Sequence, residues 1–241
     1  MPEYRCKVLH VDGALNVRDI GGYRGNGGVL AHGRFLRSGT LSDLTDAGRE
    51  YLLDAGVDCI VDLRSVYERI QKPGRLGQNH GIADIHIPML DYIQSLSPHD
   101  ASWIPESLES LYADTLRNGG ADFLRVFEVF ASDYKCILFH CTAGKDRTGM
   151  AAMLLMGLAG VSDEDIIEDY SYSHSLNNQL MFPGFPEFLF YSKPETMRTT
   201  LDMLTNEFGG IPGYLEHIGV TPDMRAKICA KLEVGIQTAA G

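Results

Sequence analysis

His140-Cys141-Thr142-Ala143-Gly144-Lys145-Asp146-Arg147-Thr148-Gly149 is the stretch that decides the fold. Immediately before it, Cys136-Ile137-Leu138-Phe139-His140 reads as a short buried strand that delivers Cys141. Immediately after it, Met150 to Ala159 is an apolar run too short to span a bilayer and suited to a buried helix. The glycines at 144 and 149 fit a chain that must turn tightly between the two, with little room for side chains. Strand, tight loop and buried helix form the repeating unit of parallel sheets.

Moving outward, the pattern repeats. Asp58 to Leu63 reads as another buried strand, Ile85 to Pro88 as a shorter one, and residues 4–10 as a first strand. The glycine-dense stretch from Asn16 through Gly28 lacks the G-x-x-x-x-G-K-[ST] pattern of nucleoside-triphosphate loops, which leaves turns and a hairpin. A helix is expected over about 43–55. Leu108, Leu111, Tyr112 and Leu116, then Phe123, Val126, Phe127 and Phe130, follow the i, i+3, i+4 spacing of helices packed on a core. Ser162-Asp163-Glu164-Asp165 opens a further helix with an acidic first turn. Met197 to Phe208 gives another, stopped at Gly209-Gly210, and Thr221-Pro222 starts the last. Residues 178–193 read as an ordered loop. The expected fold class is α/β: a mainly parallel central sheet flanked by helices, with a helical C-terminal part. No linker or repeat divides residues 1–241, which read as a single domain.

Composition excludes several classes. A net charge of −11 argues against a broad basic surface for nucleic acid or anionic membrane. It leaves room for a local nest of amides that binds an anion. Five cysteines without a C-x-x-C pair, and eight histidines without metal-ligand spacing, point away from a disulfide scaffold and from a metal site. No cofactor is expected. Met1-Pro2-Glu3-Tyr4-Arg5 lacks the layout of a signal peptide, so the default expectation is cytoplasmic, without stable membrane insertion.

Within the ten-residue loop, one cysteine precedes one arginine by six positions. A free thiol titrates near ~8.5. A thiol at a helix N-terminus, ringed by amides and facing Arg147, should be far more acidic. The same amides, from Thr142, Ala143, Gly144 and Lys145 onward, could hold the oxygens of a phosphoryl group, with Arg147 gripping two at once. The implied chemistry has Cys141 attacking phosphorus in line while a carboxylic acid protonates the leaving oxygen. Water then cleaves the phosphocysteine, the same carboxylate acting as base. Thr148 could donate its hydroxyl to the sulfur and improve it as a leaving group. Sulfur transfer or arsenate reduction would also use a cysteine in a loop before a helix, and a catalytically silent phosphate-binding module remains a third reading. Cys6, Cys59, Cys136 and Cys229 read as packing residues, with Cys59 the candidate if Cys141 has a redox partner.

The loop resembles the signature of the protein-tyrosine-phosphatase superfamily. It is closest to a bacterial branch acting on phosphotyrosine, sometimes phosphoserine or phosphothreonine (dual specificity), and phosphoinositides. Asn16-Val17-Arg18-Asp19-Ile20-Gly21-Gly22-Tyr23, Arg37-Ser38-Gly39-Thr40-Leu41 and Ile60-Val61-Asp62-Leu63-Arg64-Ser65 with Glu68 are similar to that branch as well. So are Tyr214-Leu215 and Gly219. The resemblance implies a phosphatase-type domain, a phosphorylated protein or a phosphoinositide as substrate, Cys141 as nucleophile and Arg147 as phosphate clamp. It leaves two candidates for the acid. Asp91, after His86-Ile87-Pro88, stands where many relatives carry it on a separate loop. Asp146 is preferred, because the loop itself would fix it beside the phosphate; capping the following helix is its ordinary alternative. Lys145 could face a polyanionic headgroup or simply solvent. His140 should orient the loop by hydrogen bonds, and Arg64, Asp62 and Glu68 should form a structural ion-pair group. Arg18 and Asp19 could reach the pocket rim or merely tether the N-terminal loop. Residues 92–120 resemble the branch least and could fold as a lid.

Overall fold

The computed structural model describes residues 7–77, 81–90, 105–177 and 186–234. Six strands build one sheet in the spatial order β1 (Lys7–Val8), β2 (Arg18–Asp19), β5 (Phe35–Ser38), β8 (Ile137–His140), β6 (Cys59–Asp62), β7 (Ala83–His86). The pairs β5·β8, β8·β6 and β6·β7 are parallel, while β1·β2 and β2·β5 are antiparallel. The sheet is thus parallel where it carries the loop and antiparallel at one edge. The glycine-dense stretch forms the expected hairpin, β3 (Arg24–Gly25) with β4 (Gly28–Val29).

Period-two alternation divides the apolar side chains between two cores. Phe35, Ile137, Phe139, Cys59 and Val61 point to one face; Leu36, Leu138 and Ile60 point to the other. The smaller core is completed by Leu44 and Leu52, beside or within α1 (Asp46–Asp54). That helix starts later than position 43 because Thr45 Oγ1 accepts the Gly48 N–H at 3.1 Å and so caps it. The larger core collects α3 (Leu108–Asn118), α4 (Gly120–Phe130), α5 (Asp146–Leu158), α6 (Asp163–Asn177), α7 (Pro194–Phe208), α8 (Ile211–His217) and α9 (Pro222–Lys231). Every residue of α5 from Arg147 to Leu158 is buried, as its unbroken apolar run requires. Among the described residues no helix is long and apolar enough to cross a membrane.

Three expectations shift. The third parallel strand lies at Ala83–His86 rather than 85–88: it borders the sheet, and its Asp84 meets Arg69 at 2.7 Å instead of entering a core. The described part of the expected lid is α3, whose Leu108, Tyr112 and Leu116 are buried against the larger core; residues 92–104 lie outside the described residues. Of the expected loop at 178–193, residues 187–190 form a single 3-10 turn and 178–185 lie outside the described residues.

Candidate active site

The register sets Ser38, His140 and Asp62 abreast at the carboxyl edge of β5, β8 and β6. The loop 141–145 leaves the central strand there, between its two neighbours, and enters α5. This is the crevice where open parallel sheets bind ligands.

The donors around the loop explain its shape. The carbonyl of Cys141 faces His140 Nδ1 at 3.2 Å. That of Thr142 accepts the Thr40 N–H at 2.9 Å. Asn16 Nδ2 donates to the carbonyls of Ala143 and Gly144, each at 3.0 Å, and Arg37 Nη2 donates to Gly144 O at 2.8 Å. In a trans peptide the next N–H points opposite to the carbonyl. Four carbonyls held outward therefore turn the N–H groups of residues 142 to 145 toward the inside of the loop, the arrangement of an anion-binding nest. Gly144 makes the turn at φ +66°, and a Cβ there would lie 2.4 Å from Ser38 O. Gly144→Ala is expected to cost about 2–4 kcal/mol of stability, read from the denaturant midpoint, since neither backbone can yield without moving β5.

Behind the loop lies a buried ion network. Arg18 Nε donates to Asp169 Oδ1 at 3.2 Å, Arg37 Nη1 pairs with Asp169 Oδ2, and Arg18 Nη1 donates to Asn16 Oδ1. Tyr23 Oη adds a bond to Asp169 at 3.2 Å. Arg18, Arg37 and Asp169 are all at most 2% exposed. Burial opposes ionisation of Asp169, yet the two arginines outweigh it and hold its carboxyl below the usual range. Arg18 thus tethers the N-terminal loop instead of reaching the rim. Asp19 does the same through Gly21 N, Gly33 N and His32. The sequence alone does not mark Asp169 and Asn16 as supports of the site. The readable signal was an aspartate on the same stripe of α6 as the buried Ile166 and Tyr170.

Arg147 is clamped by Glu68. Nη1 donates to Oε2 at 2.6 Å and Nη2 to Oε1 at 2.9 Å, while Thr142 Oγ1 donates to the same Oε1. Glu68 also closes a capping box with Ser65 at the start of α2 (Val66–Gln71). Burial raises the cost of its charge, but Arg147 overrides this and keeps the carboxyl well below its ordinary range. The expected ion-pair group therefore splits. Asp62 and Arg64 do pair, at 2.9 and 2.7 Å. Glu68 instead belongs to the loop. His140 is buried, which pushes its pKa down despite Asp62 nearby, so the ring is neutral and Nδ1–H serves the Cys141 carbonyl.

Cys141 is 1% exposed at the base of the loop, and Arg147 is 9% exposed. Asp146 opens α5 without capping it: no side-chain bond caps that helix. Its Oδ1 instead accepts the Tyr112 hydroxyl at 2.6 Å and lies 3.2 Å from Lys145 Nζ. Lys145 is neither a surface lysine nor an open cation. It is 2% exposed and donates to the carbonyls of Leu189 and Tyr191 at 2.6 and 2.8 Å, pinning the 3-10 turn against the loop. Thr148 Oγ1 is buried without a hydrogen-bond partner among the described residues, so the expected donation to sulfur is not made here. Asp91 lies outside the described residues.

Cys59 is not a redox partner for Cys141. It sits opposite Ile137 in the register, four residues down β8 from the loop, or about 13 Å away. A disulfide needs Cα atoms within about 7 Å. Burial pushes the Cys59 and Cys136 thiols up to about 12, which makes both inert. Among the described residues no three His, Cys, Asp or Glu side chains cluster to hold a metal.

A family model described as "Tyrosine phosphatase family" matches residues 9–233. A candidate tyrosine-protein phosphatase of Cupriavidus necator is 36% identical over 183 residues, covering 71% of this chain and 64% of its own length. The chain thus spans less than two thirds of that relative. A tyrosine-protein phosphatase of Nostoc commune is 32% identical over 205 residues, 78% of this chain and 70% of that protein. The triple specificity protein phosphatase PtpB of Mycobacterium tuberculosis is 28% identical over 200 residues, 72% of this chain and 71% of that protein. With a matching model over nearly the whole chain and the loop built as described, the chain belongs to the tyrosine phosphatase family.

Proposed function

We propose that residues 1–241 act as a single phosphatase domain that hydrolyses phosphate monoesters through a phosphocysteine, with phosphotyrosine on proteins as the main substrate. The observation that carries this reading is Cys141 at the base of a loop whose carbonyls at residues 141 to 144 are held by outside donors, with Arg147 close enough to interact with it. The inward amides and Arg147 hold the nonbridging oxygens. Glu68 engages two of the five guanidinium N–H groups, leaving others for phosphate. The Cys141 sulfur donates its electron pair to phosphorus, and the P–O bond to the alcohol or phenol breaks. Asp146 gives that oxygen a proton. In the second step Asp146 takes a proton from water, whose oxygen attacks phosphorus; the P–S bond breaks and the thiolate returns with inorganic phosphate. The loop supplies the compensating charge, so the cycle needs no cofactor.

Asp146 is assigned the acid role because it stands next to Arg147 with one oxygen anchored and its side chain still 27% exposed. Asp146→Asn is expected to slow aryl phosphates with poor leaving groups by about 100-fold while barely affecting good ones. A uniform loss across leaving groups would remove Asp146 from the role and return it to Asp91. Lys145 is committed to backbone carbonyls, so its charge does not argue for a headgroup. Phosphotyrosyl, phosphoseryl and phosphothreonyl peptides should therefore be assayed beside phosphoinositides. Faster turnover of phosphoinositides than of any phosphopeptide would overturn the substrate named here.

A further inference from the structure

Asp146 makes its side-chain contacts through one oxygen. Tyr112 Oη and Lys145 Nζ both meet Oδ1, and no hydrogen bond or ion pair to Oδ2 accompanies them among the described residues. Tyr112 Oη also lies 2.8 Å from Tyr170 Oη. Tyr112 can donate only one proton, and an ionised carboxylate only accepts. With that proton on Asp146, the Tyr170 hydroxyl must donate to the Tyr112 oxygen. The direction of the chain is fixed: Tyr170 to Tyr112 to Asp146.

We infer that Tyr112, backed by Tyr170, is a positioning residue that anchors Asp146 by Oδ1 and so makes Oδ2 the atom that exchanges the proton with leaving group and water. This rests on Asp146 being the acid and base of the proposed reaction. Both phenols are buried, and they meet edge to face with ring centroids 6.0 Å apart, which fixes their hydroxyls in place. Burial and the nearby Asp146 push the Tyr112 hydroxyl well above its ordinary pKa, so it remains a donor throughout the working pH range. A donor aimed at Oδ1 strengthens as that carboxyl becomes ionised. With Oδ1 taken up as an acceptor, the protonated form carries its hydrogen on Oδ2.

The groups facing this carboxyl come from several elements. Lys145 and Arg147 flank it in the chain, and Tyr112 reaches it from α3. Tyr170 approaches from α6, with Glu109 of α3 and Arg37 of β5 acting on Tyr170 from farther off. Tyr112 stands out among them because it reaches Asp146 from 34 residues earlier in the chain. The loop's own residues could not have disclosed it.

The test is the dependence of kcat/KM on leaving-group pKa across a series of aryl phosphates, measured for the wild type, Tyr112→Phe, Tyr170→Phe and Asp146→Asn. Phenylalanine keeps the ring, so folding is checked by thermal melting; if Tyr112→Phe melts early, Tyr170→Phe carries the comparison. Losing the donor frees Oδ1, so the carboxyl no longer presents Oδ2 to the leaving oxygen. For poor leaving groups kcat/KM is expected to fall about 10-fold in Tyr112→Phe, and by less in Tyr170→Phe, while good leaving groups are barely affected. A leaving-group dependence that steepens in Asp146→Asn but is unchanged in both tyrosine variants would overturn this inference alone. A dependence unchanged in Asp146→Asn would overturn the assignment of Asp146, and this inference with it.

Discussion

Cys141→Ser is expected to lower kcat/KM toward aryl phosphates by about 10^4-fold or more while leaving the affinity for inorganic phosphate within a few-fold of the wild type. The two halves of that result separate attack from grip. A serine hydroxyl at the same position is a poor nucleophile without a base at hand, and His140 is no such base: its Nδ1–H is turned to the Cys141 carbonyl. In the proposed site the grip comes from the amides of residues 142 to 145 and from Arg147. Their orientation is set by Thr40, Asn16 and Arg37, none of which senses the change from sulfur to oxygen. Turnover that persists in Cys141→Ser at a tenth of the wild-type rate would mean that a different nucleophile operates.

Arg147→Lys is expected to lower kcat/KM by about 10^3-fold, although the charge is kept. A lysine ammonium is a point donor and cannot meet Glu68 at two oxygens while also presenting a fork to the phosphoryl group. The variant should also change how stability responds to acid. Arg147 holds the folded Glu68 carboxyl well below its ordinary 4.5, so its contribution is fully present above that pH and is lost as pH falls toward the folded value. With Arg147→Lys the depression shrinks, and the stability curve should flatten below about pH 4.5. Urea midpoints between neutral and acidic pH read this directly. An unchanged slope would show that Thr142 and the capping box hold Glu68 low without the Arg147 fork.

The parts of the site that could be read in the sequence are those that are contiguous. Strand, loop and helix around Cys141 follow one another in the chain, and the apolar run after Gly149 allows a single placement, in the core. The N-cap at Thr221 and the glycine stop after Phe208 were equally local, and both form as expected. What sequence could not give were partners brought in from far away. Asp169 lies more than a hundred residues from Arg18 and Arg37, and Tyr112 is 34 residues before Asp146. Glu68 looked like part of a local charge group because three of its neighbours are charged or capping residues. Only the packing of α2 against the loop shows that its carboxylate serves Arg147. Lys145 misled in the other direction. Lysines are rarely buried, and nothing in its neighbours announced the two carbonyls of a turn more than forty residues away.

The proposed cycle turns on a covalent bond between the Cys141 sulfur and phosphorus during turnover. Quenching the enzyme in acid during hydrolysis of an aryl phosphate, then mapping phosphoryl groups by mass spectrometry, tests it most directly. The phosphoryl group should be found on the peptide carrying Cys141 and be absent from Cys141→Ser. Turnover at full rate with no phosphorylated peptide, or with the label on a different residue, would contradict it.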